Sequence, residues 1–240
     1  MNPVKVIINK ELKVIFNSLL FYIAFTVFFC TTGFIYWLSQ GNIFYTGQAS
    51  LGYLFTVFNG VLFFLIPALT MKSISTEKRD GTFQLLFSKP IKTWQLLAGK
   101  FFAILIQVLL CLALTLPYYI TIACLGHVDH AVGFCGYLGL IFTTGCYISI
   151  GIFVSSLTSN PLIAFFSTFA ITIWFQFLFE MLSSWLGNTF IASVFMYLSV
   201  NDHFDTISRG IIDSKDIVYF ISIISLFLAL ARYVICKSRI

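Results

Sequence analysis

Charged side chains are scarce in this sequence of 240 residues. Only 10% of the residues are Asp, Glu, Lys or Arg, against about 25% in a soluble globular domain, and 59% are apolar. With 29 Phe, 11 Tyr and 4 Trp and a mean hydropathy of +0.96, the chain has more apolar surface than one compact core can hide. This composition excludes a water-soluble fold and indicates a polytopic membrane protein.

The sequence also lacks the motifs of common enzymes. It has no H-E-x-x-H, no G-x-S-x-G and no C-x-x-C motif, and its six cysteines lie inside or beside apolar stretches. Gly99-Lys100 is not part of a Walker A motif, because Trp94 replaces its first Gly and Phe101 its Ser or Thr. The basic residues form no stripe suited to nucleic acid. We therefore predict no catalytic residues, no cofactor bound by this chain and no nucleic-acid partner.

The nearest approach to a metal site is a short polar segment that contains His127, Asp129 and His130. Two imidazoles and a carboxylate are suitable ligands for a transition metal, which leaves a small integral membrane metalloenzyme as one alternative. Three such residues within four positions carry little specificity, however. A polar turn at the membrane interface is the favoured interpretation, and no metal site is predicted.

Uncharged apolar stretches predict an all-α fold with six membrane-spanning helices, since about 20 apolar residues cross a bilayer. Polar or glycine-containing segments separate the stretches, and Pro117 is expected to kink the third helix. We place the spans in a single transmembrane domain, residues 1–240, at residues 16–38, 51–71, 101–124, 133–155, 162–182 and 217–235.

Two shorter apolar segments are not predicted to span. Between Val4 and Ile15, apolar residues recur at helical spacing opposite Lys5 and Lys13, which predicts an amphipathic helix in the membrane plane. The alternative is that these residues extend the first span. The stretch from Thr189 to Val200 is too short to cross a bilayer, so we expect a re-entrant or interfacial outer segment before the last span.

The distribution of basic residues predicts the orientation. Every Lys and Arg except Arg209 and Lys215 would lie on or near one side of the six spans. The positive-inside rule assigns that side to the cytosol. Both termini are then cytosolic, and the expected location is the bacterial inner membrane, where lipid surrounds the chain.

The segment from Lys72 to Lys100 carries charged residues around a short helix-capable stretch, Phe83 to Phe87. An apolar stretch flanked by charges suits docking into a groove on a cytosolic partner. A helix that rests on the lipid surface is the alternative. The residues alone leave these two interpretations open.

Several motifs in this sequence carry a resemblance to a known family. In the segment described above they are Glu77, Gly81-Thr82, Leu85-Leu86, Ser88-Lys89-Pro90 and Gly99-Lys100; elsewhere they are Leu65 to Met71, Ser156 to Asn160, His203-Phe204 and Ile207 to Asp213. Together they resemble ABC transporter permeases of the type-2 exporter class, and more narrowly the permease subunit associated with gliding motility in Bacteroidota. In such permeases, the segment between the second and third spans holds a cytosolic coupling helix that contacts the ATPase.

The resemblance implies a permease subunit of an ATP-driven exporter. Its partners would be a dimer of ABC ATPase subunits, which holds ATP and Mg²⁺, and a second permease subunit of the same or a different sequence. An alternative is an ABC-type mechanical transducer that acts on a partner assembly without carrying cargo. By position, the ATPase interface would comprise Glu77, Lys78, Arg79, Asp80, Gly81, Thr82, Leu85, Leu86 and Phe87. Gly99 and Lys100 would start the third span at this interface, and an outer motif of unknown role would comprise His203, Ser208, Arg209, Gly210 and Asp213.

Overall fold

The computed structural model describes residues 3–39, 43–47, 51–82, 92–187 and 189–237. Within these ranges all regular secondary structure is helical, and one π-helical turn, Trp174–Leu178, joins two α-helices. The α-helices are α1 (Pro3–Phe16), α2 (Leu19–Leu38), α3 (Ile43–Thr46), α4 (Gly52–Thr70), α5 (Ser75–Arg79), α6 (Thr93–Ala113), α7 (Leu116–Leu125), α8 (His130–Leu157), α9 (Pro161–Ile173), α10 (Phe179–Leu186), α11 (Phe190–Leu198), α12 (Val200–Ser208) and α13 (Ser214–Lys237).

Six helical segments of the described chain are long and apolar enough to cross a membrane. They are Phe21–Tyr45, Gly52–Arg79, Thr93–Leu125, His130–Leu157, Pro161–Leu186 and Ser214–Lys237. The prediction of an all-α polytopic fold with six spans is therefore confirmed.

The third span differs from its predicted bounds. Its helix begins at Thr93 instead of residue 101, because the charge of Lys100 interrupts the apolar run but not the helix. The expected kink is present: α6 ends at Ala113, and α7 starts again at Leu116 with Pro117 in its first turn, where a missing N–H does no harm.

Helix α8 lies at the centre of the bundle and contacts α4, α6, α9, α12 and α13. Two glycines let α4 approach it closely: a Cβ at Gly136 would lie 2.2 Å from the Phe55 ring, and one at Gly151 would lie 2.2 Å from Thr70 Oγ1. Small residues at helix interfaces are typical of membrane bundles, where packing rather than water drives association. Phe55 and Gly136 are the same number of positions apart in the sequence as Thr70 and Gly151. The helices α4 and α8 therefore run parallel.

The first helix is separate from the first span. The chain breaks at Asn17 and Ser18, and α1 packs along α6 much more than along α2. The apolar residues of α1 thus form a helix of their own and do not extend the first span. Its position in the plane of a membrane stays a prediction.

Polar side chains also join helices inside the bundle. Gln176 is buried in the π-helical turn. The buried hydroxyl of Tyr147 on α8 donates a 2.7 Å hydrogen bond to Gln176 Oε1. A π-turn inside an α-helix shifts the faces on either side of it. Here it brings an amide to the central helix within a span of apolar residues.

Contacts between the segments define two ends of the bundle. Ile7 meets Gly99, and Cys236 Sγ lies 3.8 Å from Thr93 Oγ1, so α1, the start of α6 and the last turn of α13 share one end. We call it the basic end, and the other the opposite end.

At the opposite end, the stretch predicted to be interfacial forms the nine-residue helix α11. The Thr189 hydroxyl caps this helix by accepting a hydrogen bond from the Ala192 N–H. Helix α11 packs against α10, and the pair exposes Trp185 and Phe190 almost fully. A location in the outer leaflet stays a prediction for this segment.

Candidate functional site

A buried lysine connects three segments at the basic end. Lys100 on α6 is 1% exposed, and its Nζ lies 3.2 Å from Glu11 Oε1 on α1 and 2.9 Å from Glu77 Oε1 on α5. It also donates a 2.6 Å hydrogen bond to the Ser73 carbonyl, in the turn between α4 and α5. An ammonium group has three protons to donate, so these three oxygens account for its capacity. We call this arrangement the Lys100 network.

The network forms because α1 can approach α6 closely. A Cβ at Gly99 would lie 2.6 Å from Ile7 Cγ2, so any larger residue would push α1 outward. One turn further along α1, Glu11 then reaches Lys100. A buried lysine is costly unless it is paired, and two carboxylates and a carbonyl provide that pairing.

The other side of the same turn is held by the end of the central helix. Ser155 Oγ on α8 accepts hydrogen bonds from the Ile74 and Ser75 N–H groups, at 3.1 and 3.0 Å. It donates in turn to the Met71 carbonyl. Lys78 Nζ donates to the Ser156 carbonyl. Helix α5 is therefore fixed between α6 and α8.

The other described residues of the predicted interface, Arg79 to Thr82, face solvent. Arg79 Nε lies 3.2 Å from Asp80 Oδ1, and both side chains are more than half exposed, so this pair contributes little to stability. Gly81 has a φ of +69°, which ends α5 in a turn, and Thr82 Oγ1 donates to the Glu77 carbonyl. Leu85, Leu86 and Phe87 lie outside the described residues.

Half of the residues in this site carry no sequence motif that marks them. Glu77, Gly99 and Lys100 belong to the motifs that carry the family resemblance, whereas Glu11, Ser73 and Ser155 do not. An acidic residue on an otherwise basic amphipathic helix was the available signal for Glu11. No sequence signal marked the serines.

The outer motif does not form a single site. His203 is buried, and its Nδ1 lies 2.6 Å from Asp216 Oδ1 while its Nε2 lies 2.9 Å from the Tyr197 carbonyl oxygen. The imidazole also stacks on Tyr219, with ring centroids 4.0 Å apart. Asp216, which the sequence analysis did not select, is 1% exposed. His203 thus holds the first turn of α13 to α11 and α12.

The other outer residues have separate surroundings. Ser208 Oγ donates to the Asp205 carbonyl, and Arg209 is exposed. Gly210 follows α12 with a φ of +92°. Asp213 accepts hydrogen bonds from the side chain and backbone of Lys215, which hold the pKa of that carboxyl below its ordinary value. Burial raises the pKa of Asp205, although the charge of Arg209 opposes the rise.

The segment around His127 has structural roles. Asp129 accepts a hydrogen bond from the Ala131 N–H and so caps α8, and His130 Nδ1 is hydrogen-bonded to the Tyr119 hydroxyl. In the described ranges, no group of three or more His, Cys, Asp and Glu residues is placed to hold a metal ion. This segment is a polar turn between the end of α7 and the start of α8.

Comparison with known proteins gives the family. A family model described as ABC-2 family transporter protein matches residues 5–237, which is nearly the whole chain. Compared with curated proteins, the chain has no significant match. The family comprises membrane permease components of ABC transporters, which associate in general with a separate ABC ATPase. The chain therefore belongs to the ABC-2 family of transporter proteins.

Proposed function

We propose that this chain is the exporter-class permease subunit through which a separate ATPase, holding ATP and Mg²⁺, drives movement of the spans. The ATPase would dock on the segment from α5 to the start of α6. The contact residues would be Glu77, Lys78, Arg79, Asp80, Gly81, Thr82, Leu85, Leu86 and Phe87. A second permease subunit, identical or different, would complete the transporter. The basic end would face the cytosol of a bacterial inner membrane, with both termini on that side.

The Lys100 network is the observation that carries this proposal. A docking segment can drive the spans only if it is joined to them stiffly. Helix α5 follows α4 directly, is bonded to α6 through Lys100, and is bonded to α8 through Ser155. A push on the exposed residues beside α5 is thereby transmitted to three spans at once. Export of cargo and mechanical action on a partner assembly share this coupling, and a cargo-transport assay distinguishes them. The narrower likeness to gliding-motility permeases rests on sequence motifs alone and stays a prediction.

Co-purification with a tagged full-length chain tests the docking role. The wild type should retain an ABC ATPase, and the Leu86→Glu, Phe87→Glu double variant should lose it while still inserting into the membrane. Phe44→Glu is a matched control, because Phe44 is exposed on α3 at the opposite end and should not affect the partner. Retention of the ATPase by the double variant would contradict the proposal.

Cysteine labelling tests the orientation. In a background without the native cysteines, a Thr82→Cys variant should react with a membrane-impermeant maleimide in inverted vesicles but not in intact cells. Thr82 is exposed, and the vesicles come from cells without the partner ATPase, so a lack of reaction in one preparation reflects sidedness and not burial. Labelling from outside intact cells would place the segment on the wrong side for an ATPase.

A further inference from the structure

A cavity of about 230 Å³ lies beside the Lys100 network. Helices α1, α4, α5 and α6 and the start of α2 form its walls. Much of the lining is apolar and includes Phe21, Leu69 and Ile104. It extends from the charged groups at the basic end to a deeper level of α6.

The inner part of this cavity holds a polar side chain without a partner. Gln107 is fully buried and lines the cavity, and both its Nε2 and its Oε1 lack a hydrogen-bond partner. Glu77 Oε2 and Ser73 Oγ, which line the same space, are also without partners. A buried amide that makes no hydrogen bond carries a full desolvation penalty, so such groups are rare unless something else binds them.

The position of Gln107 sets the shape of a fitting ligand. It lies seven residues beyond Lys100 on α6, which corresponds to about 10 Å along the helix axis. The lining between these two levels is mainly apolar. A ligand that uses both levels has polar groups separated by roughly this distance, with apolar surface between or beside them.

The mouth of the cavity favours an anion. Lys10 and Lys72 are exposed and line it, whereas Lys100 is paired with both Glu11 and Glu77, which leaves that network with one negative charge. Three lysines and two glutamates line the cavity, so the lining keeps a net charge of +1 and the two exposed lysines are the groups that can contact a ligand. An anionic head group would gain charge-assisted hydrogen bonds from them.

We propose that this cavity binds a single-chain or lipid-like amphiphile with an anionic phosphate head group. The phosphate contacts Lys10 and Lys72, the apolar chain follows Leu69 and Ile104, and a hydroxyl or ester group hydrogen-bonds to the Gln107 amide. The occupant joins α1 to α4 and α6 beside the Lys100 network. This binding site goes beyond the proposed function, and its test requires no ATPase.

Equilibrium binding of radiolabelled lauroyl lysophosphatidic acid to the full chain in maltoside micelles tests the proposal. The probe has a phosphate, a hydroxyl and an ester on one chain. Binding should be saturable, and Lys10→Gln and Lys72→Gln should each weaken it about tenfold through the loss of a charged contact. Lys13→Gln is the matched control, because Lys13 is exposed on α1 but does not line the cavity, and it should leave binding unchanged.

Two further arms test the depth of the site and the source of the phosphate. Gln107→Leu should weaken binding about tenfold; Gln107→Met repeats the test with a flexible apolar side chain of similar size. Inorganic phosphate and lauroyl lysophosphatidylcholine should compete poorly. Equal weakening by Lys13→Gln, unchanged binding in both Gln107 variants, or full competition by inorganic phosphate would each overturn the proposal. None of these measurements involves the ATPase, so failure here leaves the docking experiment unaffected.

Discussion

Replacing Lys100 with methionine tests the central feature of the basic end. Methionine has a similar length and fills the same space, but it removes the one cation between Glu11 and Glu77. Two carboxylates and the Ser73 carbonyl then lose their donor. Removing one partner of a buried ion pair costs about 3–5 kcal/mol. Because both carboxylates are 16% exposed and keep some water, we expect a loss of about 3 kcal/mol in the free energy of unfolding, the low end of that range.

The measurement is equilibrium unfolding of the full chain in mixed detergent micelles, followed by circular dichroism and tryptophan fluorescence. Lys5→Met is the control, because Lys5 is exposed on α1 and should change the free energy of unfolding by less than about 0.5 kcal/mol. A triple variant that adds Glu11→Gln and Glu77→Gln removes all three charges and should recover at least about 1 kcal/mol of the loss.

Two results would refute this reasoning. A Lys100→Met variant as stable as the Lys5→Met control would mean that the network does not hold the three segments together. A triple variant no more stable than the single one would mean that the loss comes from packing and not from unpaired carboxylates.

Three other changes test features of the fold. Ser155→Ala removes the acceptor of two buried N–H groups, so unfolding titrations should show a loss of about 1–3 kcal/mol; a neutral effect would show that α5 is not held by α8. Gly151→Ala places a Cβ 2.2 Å from Thr70 Oγ1 and should cost about 1–3 kcal/mol, whereas Gly60→Ala, with open space around it, should be neutral or stabilising. Because burial raises the pKa of Asp205, the stability that this carboxyl contributes is present below its ordinary pKa and is lost as the pH rises through the folded-state value. Asp205→Asn should therefore stabilise the protein at neutral pH but not in acid, which thermal unfolding at both pH values would reveal; the same effect at both would contradict it.

Length and composition were enough to predict the spans, because a membrane-crossing helix is defined by its own residues. Breaks were predictable for the same reason: Pro117 restarts a helix, and Asn160 caps α9 by accepting from the Leu162 N–H. Both effects act within a few residues of the chain. Local physics therefore determined this part of the fold.

The contacts that build the candidate site depend on distant residues and were not predictable. From the sequence, Lys100 is expected at the start of the third span; its pairing with Glu11, 89 positions away, and with Glu77 lets it lie buried within a helix. Asp216 gave no signal that it would meet His203. The Gln107 amide has no hydrogen-bond partner, and this too depends on how α1, α4 and α6 pack. Such pairings follow from tertiary packing, which a single sequence does not specify.

The close approach of α4 to α8 limits how this protein can change shape. Phe55 and Thr70 sit over Gly136 and Gly151, and axial sliding by one position would press them against residues that carry side chains. Axial sliding of one helix past the other is therefore blocked. The first and fifth spans are far less enclosed, with 22% of their apolar stretch buried against 78% for α8. A push on the segment beside α5 would move α4 and α8 together, and these peripheral helices are the ones free to change position relative to that pair.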